Sequence, residues 1–426
     1  MSAGGSAQCL WRHRDFLKLW SAQTVSEFGS QVSALALPLV AVLVVRASAF
    51  QVAVLTVIGF LPFLLFSLPA GVWIDRLARR PIMLLADVGR ALALGSIAAA
   101  AVIGYLTLLQ LYLVGFVAGT LSVFFDVSYQ SYLPSLVERG QLVDGNSKLE
   151  LTRSAALIGG PGLGGLLVRA LTAPYAVLVD AASFVWSAVL ISAIRRTEVV
   201  PERTGGPPAM WGELVDGIAY LFGHRYWRAI SISTATFNFF NYVAFAILVV
   251  YMARTLHMSA LVIGLTLSLS NGGALIAALF AQRIGQRLGT GRAILFATFF
   301  GLPLVLVPLA PVSQPIPFIV VAFTLEGFGV VLFTVSVTSL TQALTPERLL
   351  GRVNASRRFV AWGMIPLGGL VSGGLASLIG LRPTLFVGTL GCALSTVPIF
   401  LSPIRHVREI PTEAEDVSVP VEALTA

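Results

Sequence analysis

Residues 50–72 read FQVAVLTVIGFLPFLLFSLPAGV, inside a stretch from Ala47 to Ile74 that holds no charged side chain. A hydrocarbon layer about 30 Å thick is crossed by roughly 20 helical residues rising 1.5 Å each. The run is long enough to span a bilayer. It lacks the short apolar–polar alternation of a barrel strand, which leaves the α-helix to satisfy its backbone groups in lipid. Similar runs place spans near residues 20–45, 50–72, 82–104, 108–132, 149–170 and 174–194, then 228–252, 259–282, 293–312, 316–340, 357–380 and 383–403. Gly and Pro interrupt the apolar pattern within 259–312 and 357–403. The predicted fold class is an all-α membrane protein with about twelve transmembrane helices.

Composition agrees with that reading. Of 426 residues, 56% are hydrophobic and only 11% charged, against roughly 25% charged in soluble domains. The net charge of +8 and pI of 9.9 raise the question of nucleic acid. Placement of the 28 lysines and arginines answers it. The predicted topology leaves Arg46, Arg169, Arg254 and Arg382 on one side and Arg90 within a span, with all the others on the opposite side. Such asymmetry is the positive-inside pattern. It puts both termini in the cytoplasm, in a multi-pass protein of the plasma membrane, and excludes nucleic acid as a partner. Cys9 and Cys392 lie in cytosolic and membrane segments and imply no disulfide framework. The N-terminus shows no cleavable leader, so the first span reads as an uncleaved anchor.

The chain also repeats itself. A shift of 211 residues brings His13-Arg14-Asp15-Phe16 onto His224-Arg225-Tyr226-Trp227, Phe28 onto Phe239, Ser48-Ala49 onto Ser259-Ala260, and Arg76-Leu77 onto Arg287-Leu288. Farther along, shifts of 208–209 align Asn146 with Asn354 and Pro174 with Pro383. Two parallel six-helix repeats are a transporter architecture, with the site near the midplane at the repeat interface. The expected organisation is a cytosolic N-terminus (1–15), a six-helix bundle (16–195), a cytosolic linker (196–226), a second six-helix bundle (227–404) and a disordered acidic tail (405–426). Within the linker, Trp211, Leu214, Val215, Ile218 and Phe222 share one helical face, which suggests an amphipathic helix on the membrane surface.

After the second span the sequence runs Gly71-Val-Trp-Ile-Asp75-Arg76-Leu-Ala-Arg79-Arg80. This resembles the loop signature of the major facilitator superfamily, a glycine followed by Asp-Arg and paired basic residues. The second copy, Gln286-Arg287 to Arg292, keeps the basic residues and has lost the acid. Helix 5 carries Gly160-Pro161-Gly162-Leu163-Gly164-Gly165, similar to the end of the helix 5 motif found in exporters of the superfamily. Ser147 and Ala156 stand where that motif has further glycines, and the arginine typical of helix 4 in such exporters is absent, Asp126 being the charged residue there. With Ser21 to Leu39 in helix 1 and Leu133-Pro134 followed by Asn146, the likeness covers residues 13–405. It is closest to the macrolide-efflux and siderophore-export branch of drug:proton antiporters. The resemblance implies two pseudo-symmetric bundles, a gating role for Gly71, Asp75, Arg76, Arg79 and Arg80, and an export role for Gly160, Pro161, Gly164 and Gly165.

Acids inside a membrane are costly and mark function by default. Glu27 and Glu326 each lie about ten residues into predicted spans, near the midplane, and Asp126 lies farther towards the cytosol. These three are the candidates for proton coupling. Asn238 stands where the repeat would place a second Glu27. The pair Asn238 and Asn241, flanked by Phe237, and the aromatic residues Phe28, Phe124, Phe125 and Tyr129 are candidate substrate contacts, since an apolar pocket with a few polar groups suits an amphipathic ligand. Asp87 and Arg90, three residues apart on one helix, read as a structural pair. Asp180, near the outer end of its helix, is expected to face water.

No Gly-Lys-Ser/Thr phosphate loop exists, and all four histidines lie in loops or termini. An ATPase, a metal site, a cofactor and an enzyme are therefore not expected. The expected function is secondary active transport, with proton-coupled export of small amphipathic molecules (drug, macrolide or siderophore-like) by alternating access. Import of a nutrient on the same fold is the alternative, and a non-transporting receptor a minor one. The expected partners are membrane lipid, a small-molecule substrate and protons, with the chain a monomer. If the topology is right, a fluorescent protein fused to the C-terminus will fold and glow, while alkaline phosphatase fused there stays inactive. Active phosphatase would invert the orientation.

Overall fold

The computed structural model describes residues 10–74, 77–138, 141–195, 210–345 and 347–407. The first repeat forms α1 (Arg14–Leu43), α2 (Ala49–Ile74), α3 (Arg79–Val102), α4 (Leu108–Leu136), α5 (Leu142–Leu171) and α6 (Ala173–Ser192). After α7 (Met210–Gly223) the second repeat supplies α8 (Arg225–Arg254), α9 (Ala260–Leu288), α10 (Thr290–Leu309), α11 (Pro315–Leu344), α12 (Glu347–Ile379) and α13 (Leu381–Leu401). Twelve of these are long and apolar enough to cross a membrane. Several begin earlier than hydropathy placed them, α5 at Leu142 and α12 at Glu347 among them. Hydropathy registers only the turns in hydrocarbon, whereas the helices continue as polar turns beyond it.

The duplication persists in backbone detail. His13 and His224 cap α1 and α8, each imidazole Nδ1 accepting from a backbone amide, Phe16 N–H at 3.1 Å and Tyr226 N–H at 3.3 Å. Burial and the adjacent Arg225 lower the pKa of His224, which keeps Nδ1 free to accept. At the other end of the hairpin, Arg46 and His257 take left-handed conformations at φ 57° and 52°. The amides that follow reach back six residues, Ala47 to Ala41 at 2.8 Å and Met258 to Met252 at 3.0 Å, closing each helix end around a left-handed residue. Non-glycine residues with positive φ are uncommon. Two at one offset mark a duplicated turn.

Packing conserves shape while exchanging its sources. In the first repeat Gly29 of α1 makes room for Asp180 and Ser183 of α6, and a Cβ added there would lie 2.9 Å from the Ser183 Cβ. In the second repeat the corresponding residue of α8 is Phe240, and Gly388 and Gly391 of α13 make room for it. Large and small have changed sides across the same helix contact.

The second-repeat helices are broken where the first-repeat ones are continuous. α8 turns at Ala246–Ile247, α9 at Asn271 and α13 at Leu394–Ser395, and α10 narrows to a 3-10 segment over Phe299–Val305, which contains Pro303. Packing divides the described residues into two units, one from Met1–Pro208 with Val249–Ser268, the other from Ala209–Leu248 with Leu269–Ala426. The segment that leaves the second repeat to join the first unit is thus bounded by the breaks in α8 and α9. The first core joins Phe16, Leu19, Met83, Phe125 and Tyr132, and the second joins Trp227, Ile294, Val337, Leu340 and Ile399. Exposed leucines such as Leu85, Leu279 and Leu378 cover the outside, a surface that suits lipid.

α7 is a helix within the linker segment. It packs on α8 and α12 with Leu221 fully buried, while Phe222 remains exposed. Leu221 lies off the expected apolar face and packs against protein. The side chains of Trp211, Leu214 and Val215, and the tail beyond Val407, lie outside the described residues.

The exchanged packing yields a test. Gly391→Val would press a side chain to within 2.6 Å of the Phe240 ring, an overpacking expected to cost about 1–3 kcal/mol. Thermal unfolding of the purified protein should move to lower temperature, and Phe240→Ala in the same chain should recover part of the loss. No shift would contradict the packing.

Candidate functional site

The polar centre of the first unit is Arg90 of α3. Its guanidinium is buried, 4% exposed, between the rings of Phe125 on α4 and Phe184 on α6 at 4.3 and 4.1 Å. One terminal nitrogen donates to Asp87 Oδ1 at 2.5 Å and the other reaches Ser122 Oγ of α4 at 3.4 Å. The expected Asp87–Arg90 pair is present. Its cation also lies against α4, the helix that lacks the exporters' arginine.

Glu27 is the fourteenth of thirty residues in α1, half-buried at mid-helix, where Gln23 Nε2 donates to its Oε1 at 2.8 Å. Asp126 lies within electrostatic reach of Arg90, Glu27 and Arg153, and Tyr129 within reach of Glu27, Asp126, Glu150 and Arg153. Glu27, Asp126 and Tyr129 are therefore brought together. Phe125 stacks on Tyr129 at 6.2 Å and is buried beneath Arg90. Phe124 instead stacks on Trp73 of α2 at 5.9 Å. Phe28 lines a separate apolar groove of about 600 Å³ with Val32, Leu163, Val179 and Trp186.

In the second unit a cavity of about 590 Å³ runs along α11, a size typical of small-molecule sites. Glu326, Gly329, Val330, Phe333, Thr334 and Thr338 line it, a helical spacing that presents one stripe of α11. Phe237 and Asn238 of α8, Phe300 of α10, and Arg357, Arg358 and Trp362 of α12 complete the walls. Asn238 Nδ2 donates to the Ala361 carbonyl at 2.8 Å, and Asn241 Nδ2 sits 3.5 Å from Glu326 Oε1. Arg357 donates to Thr341 Oγ1 at 2.8 Å. The two asparagines and Glu326 meet here, separate from the Glu27 group within its own unit.

The loop motif is only partly visible. Asp75 and Arg76 lie outside the described residues, and Gly71 is described only as helical backbone near the end of α2. Arg80 Nε donates to the Ile191 carbonyl at 3.1 Å and its Nη2 to Ser192 at 2.5 Å, while Lys18 Nζ donates to Ala193 at 2.6 Å. Two cations thus cap the C-terminus of α6, where the helix dipole favours positive charge. Arg79 begins α3.

The helix 5 motif works on two sides. A Cβ on Gly160 would meet Gln31 Cγ of α1 at 2.8 Å, and one on Gly164 would meet Val32 Cα at 3.2 Å. A Cβ on Gly165 would lie 2.5 Å from the Ala260 carbonyl of α9. Between them Gly162 N–H donates to Ser268 Oγ at 2.7 Å, one residue past Pro161, which has no amide hydrogen to give its own helix. Small residues let α5 lie close to α1 and to the start of α9 at once.

Three features escaped the sequence reading. Asp180, expected to face water, is buried at 1% exposure beneath Gly29, because a glycine on the neighbouring helix removes the barrier that length alone suggested. Arg357 and Arg358 were read as cytosolic charge, yet they line the cavity. Arg153, likewise counted with the cytosolic charge, bears on Asp126 and Tyr129.

A model of the family described as transmembrane secretion effectors matches residues 6–424. The protein called multidrug efflux pump Tap in Mycolicibacterium fortuitum is 26% identical over 92% of this chain and 96% of its own length. The Tap pump of Mycobacterium tuberculosis (strain H37Rv) is 25% identical, over 85% and 87%. Among solved structures, an inward-facing bacterial homologue of the iron transporter ferroportin superposes with a TM-score of 0.73 at 19% identity, covering 92% of this chain and 99% of that one. The nucleoside transporter NupG gives 0.71 at 13%, covering 91% and 98%. These structures share the fold.

The cavity along α11 can be probed chemically. In a chain carrying Cys9→Ala and Cys392→Ala, a cysteine placed at Thr334 or Thr338 should react with a small permeant maleimide. A cysteine at Leu332, which is fully buried on the same helix, should not. Equal reactivity would deny the cavity.

Proposed function

The chain belongs to the transmembrane secretion effector family of the major facilitator superfamily, and on that premise we propose that it is a proton-coupled exporter of small amphipathic molecules. It is a multi-pass membrane transporter; direction, coupling and substrate class are the proposal. The observation that carries it is the likeness to the Tap multidrug efflux pumps, which runs nearly end to end in both chains. The chemistry of the two units supports it. The second unit offers a chamber with Phe237, Phe300, Phe333 and Trp362 around one carboxylate, Glu326, which suits a ligand that is mostly apolar and partly charged. Asn238 and Asn241 add hydrogen bonds.

The first unit offers the proton. Glu27 and Asp126 lie within electrostatic reach of one another across α1 and α4, and acids placed inside a membrane are by default the groups that carry a proton. Loading and releasing it would shift the balance between inward- and outward-open states by the differential affinity of each state for the proton. Tyr129, Phe124 and Phe28 are proposed as further contacts along the first unit. Gly71, Asp75, Arg76, Arg79 and Arg80 are proposed as the cytosolic gate, with Arg80 anchoring it to the end of α6. Gly160, Pro161, Gly164 and Gly165 hold α5 in the close packing that export requires. The transporter is proposed to work as a monomer in the plasma membrane, with both termini in the cytoplasm. No observation favours import.

In proteoliposomes with an imposed pH gradient, a fluorescent amphipathic dye should move against its gradient as protons move the other way. Glu27→Gln should lower gradient-driven accumulation at least about tenfold, a loss of ~1.4 kcal/mol, while leaving dye binding to the purified protein in place. Full pumping by that variant would remove Glu27 from the mechanism, and dye movement indifferent to the gradient would end the antiport reading.

A further inference from the structure

Asp180 belongs to neither the chamber nor the coupling candidates. It is the eighth residue of α6 and is 1% exposed. Its Oδ1 accepts from Ser183 Oγ at 3.1 Å, and Ser33 of α1 lies against it, near enough to favour its charge without completing a hydrogen bond of good geometry. The charged group that bears on it is Arg90 of α3, and that guanidinium is already held by Asp87 at 2.5 Å. Among the described residues, α1 adds hydroxyls, α5 brings no charged group to bear, and Asp180 forms no ion pair. Asp126 draws on the same Arg90. Three carboxyls thus share one buried cation.

An isolated carboxylate in such surroundings is too costly to keep charged. The fold itself does not ask for an acid here. The second repeat builds the same helix contact with Gly388 and Gly391 against Phe240, and at the shift of 211 the positions of Asp87 and Arg90 hold Thr298 and Gly301. Two further atoms point to a group that can rearrange. Asp87 Oδ2 and Arg90 Nε are both buried and without hydrogen-bond partners, although Ser187 stands close to Asp87.

We propose that Asp180 is a proton-binding site of the first unit, neutral while Arg90 pairs with Asp87 alone, and charged when the unpartnered Nε edge of Arg90 turns towards it with Asp87 still held. The step moves one proton. The Asp180 O–H bond breaks, the proton passes to water, and the remaining carboxylate is met by the guanidinium. Its use in transport rests on the proton-coupled reading above; the binding of the proton does not.

Infrared difference spectroscopy of the lipid-reconstituted protein, without substrate, over a pH titration tests this. The wild-type chain should show a protonated-carboxyl C=O band that disappears as pH rises, and Asp180→Asn should lack it. Ser183→Ala should keep the band and shift its frequency, because the hydroxyl partner is gone. A full set of bands in Asp180→Asn, or no shift in Ser183→Ala, overturns the assignment. A band that responds to sodium at fixed pH also overturns it, since the site would then take a metal cation. If the bands behave as expected while dye transport ignores the pH gradient, the proton site stands and the proton-coupled reading fails.

Discussion

A full positive charge packed between two phenyl rings inside a membrane protein needs a strong reason to stay there. Arg90 meets that demand through the flat faces of Phe125 and Phe184, a 2.5 Å bond to Asp87 and a weaker reach to Ser122. A planar, weakly hydrated guanidinium suits such a site better than an ammonium. Three helices, α3, α4 and α6, converge on it, and two further acids of the first unit, Asp126 and Asp180, are placed within its field. Deleting one partner of a buried ion pair strands the other at a cost of about 3–5 kcal/mol. The buried charge between α3, α4 and α6 is organised around this one side chain.

The second repeat shares the backbone and, among the described residues, lacks a buried ion pair of this kind. Its helix caps, left-handed residues and helix contacts repeat those of the first, yet glycine or neutral polar residues stand where Glu27, Asp87, Arg90 and Asp180 would fall. Its own acid, Glu326, opens on a cavity walled by aromatic side chains. Breaks in α8, α9, α10 and α13 accompany that cavity, whereas the first-repeat helices run through. One copy of the repeat is built to hold charge in a dry core, and the other to hold space. That division suits a protein in which proton and substrate are handled by different halves.

Much of this was legible in the sequence, for identifiable reasons. The twelve spans and the 211-residue repeat could be read because hydrocarbon enforces long apolar runs and because polar punctuation at a fixed offset is hard to mistake. Asp87–Arg90 was legible as an i,i+3 pair. The burial of Asp180 was not, since it depends on Gly29 of a helix some 150 residues distant in sequence. The second surface of the helix 5 motif depends likewise on Ala260 and Ser268. Arg357 and Arg358 looked like cytosolic charge because hydropathy cannot tell a helix end facing solvent from one lining a cavity. Side-chain placement across helices is where a one-dimensional pattern gives out.

On the proposed function, ligand bound in one unit is linked to protons held in the other. Calorimetric titration of the purified protein with an amphipathic dye, in buffers of differing ionisation enthalpy at one pH, measures that link directly. The observed heat should vary with the buffer, reporting protons released as dye binds, and the variation should shrink in Glu27→Gln. Heat independent of the buffer would contradict the account.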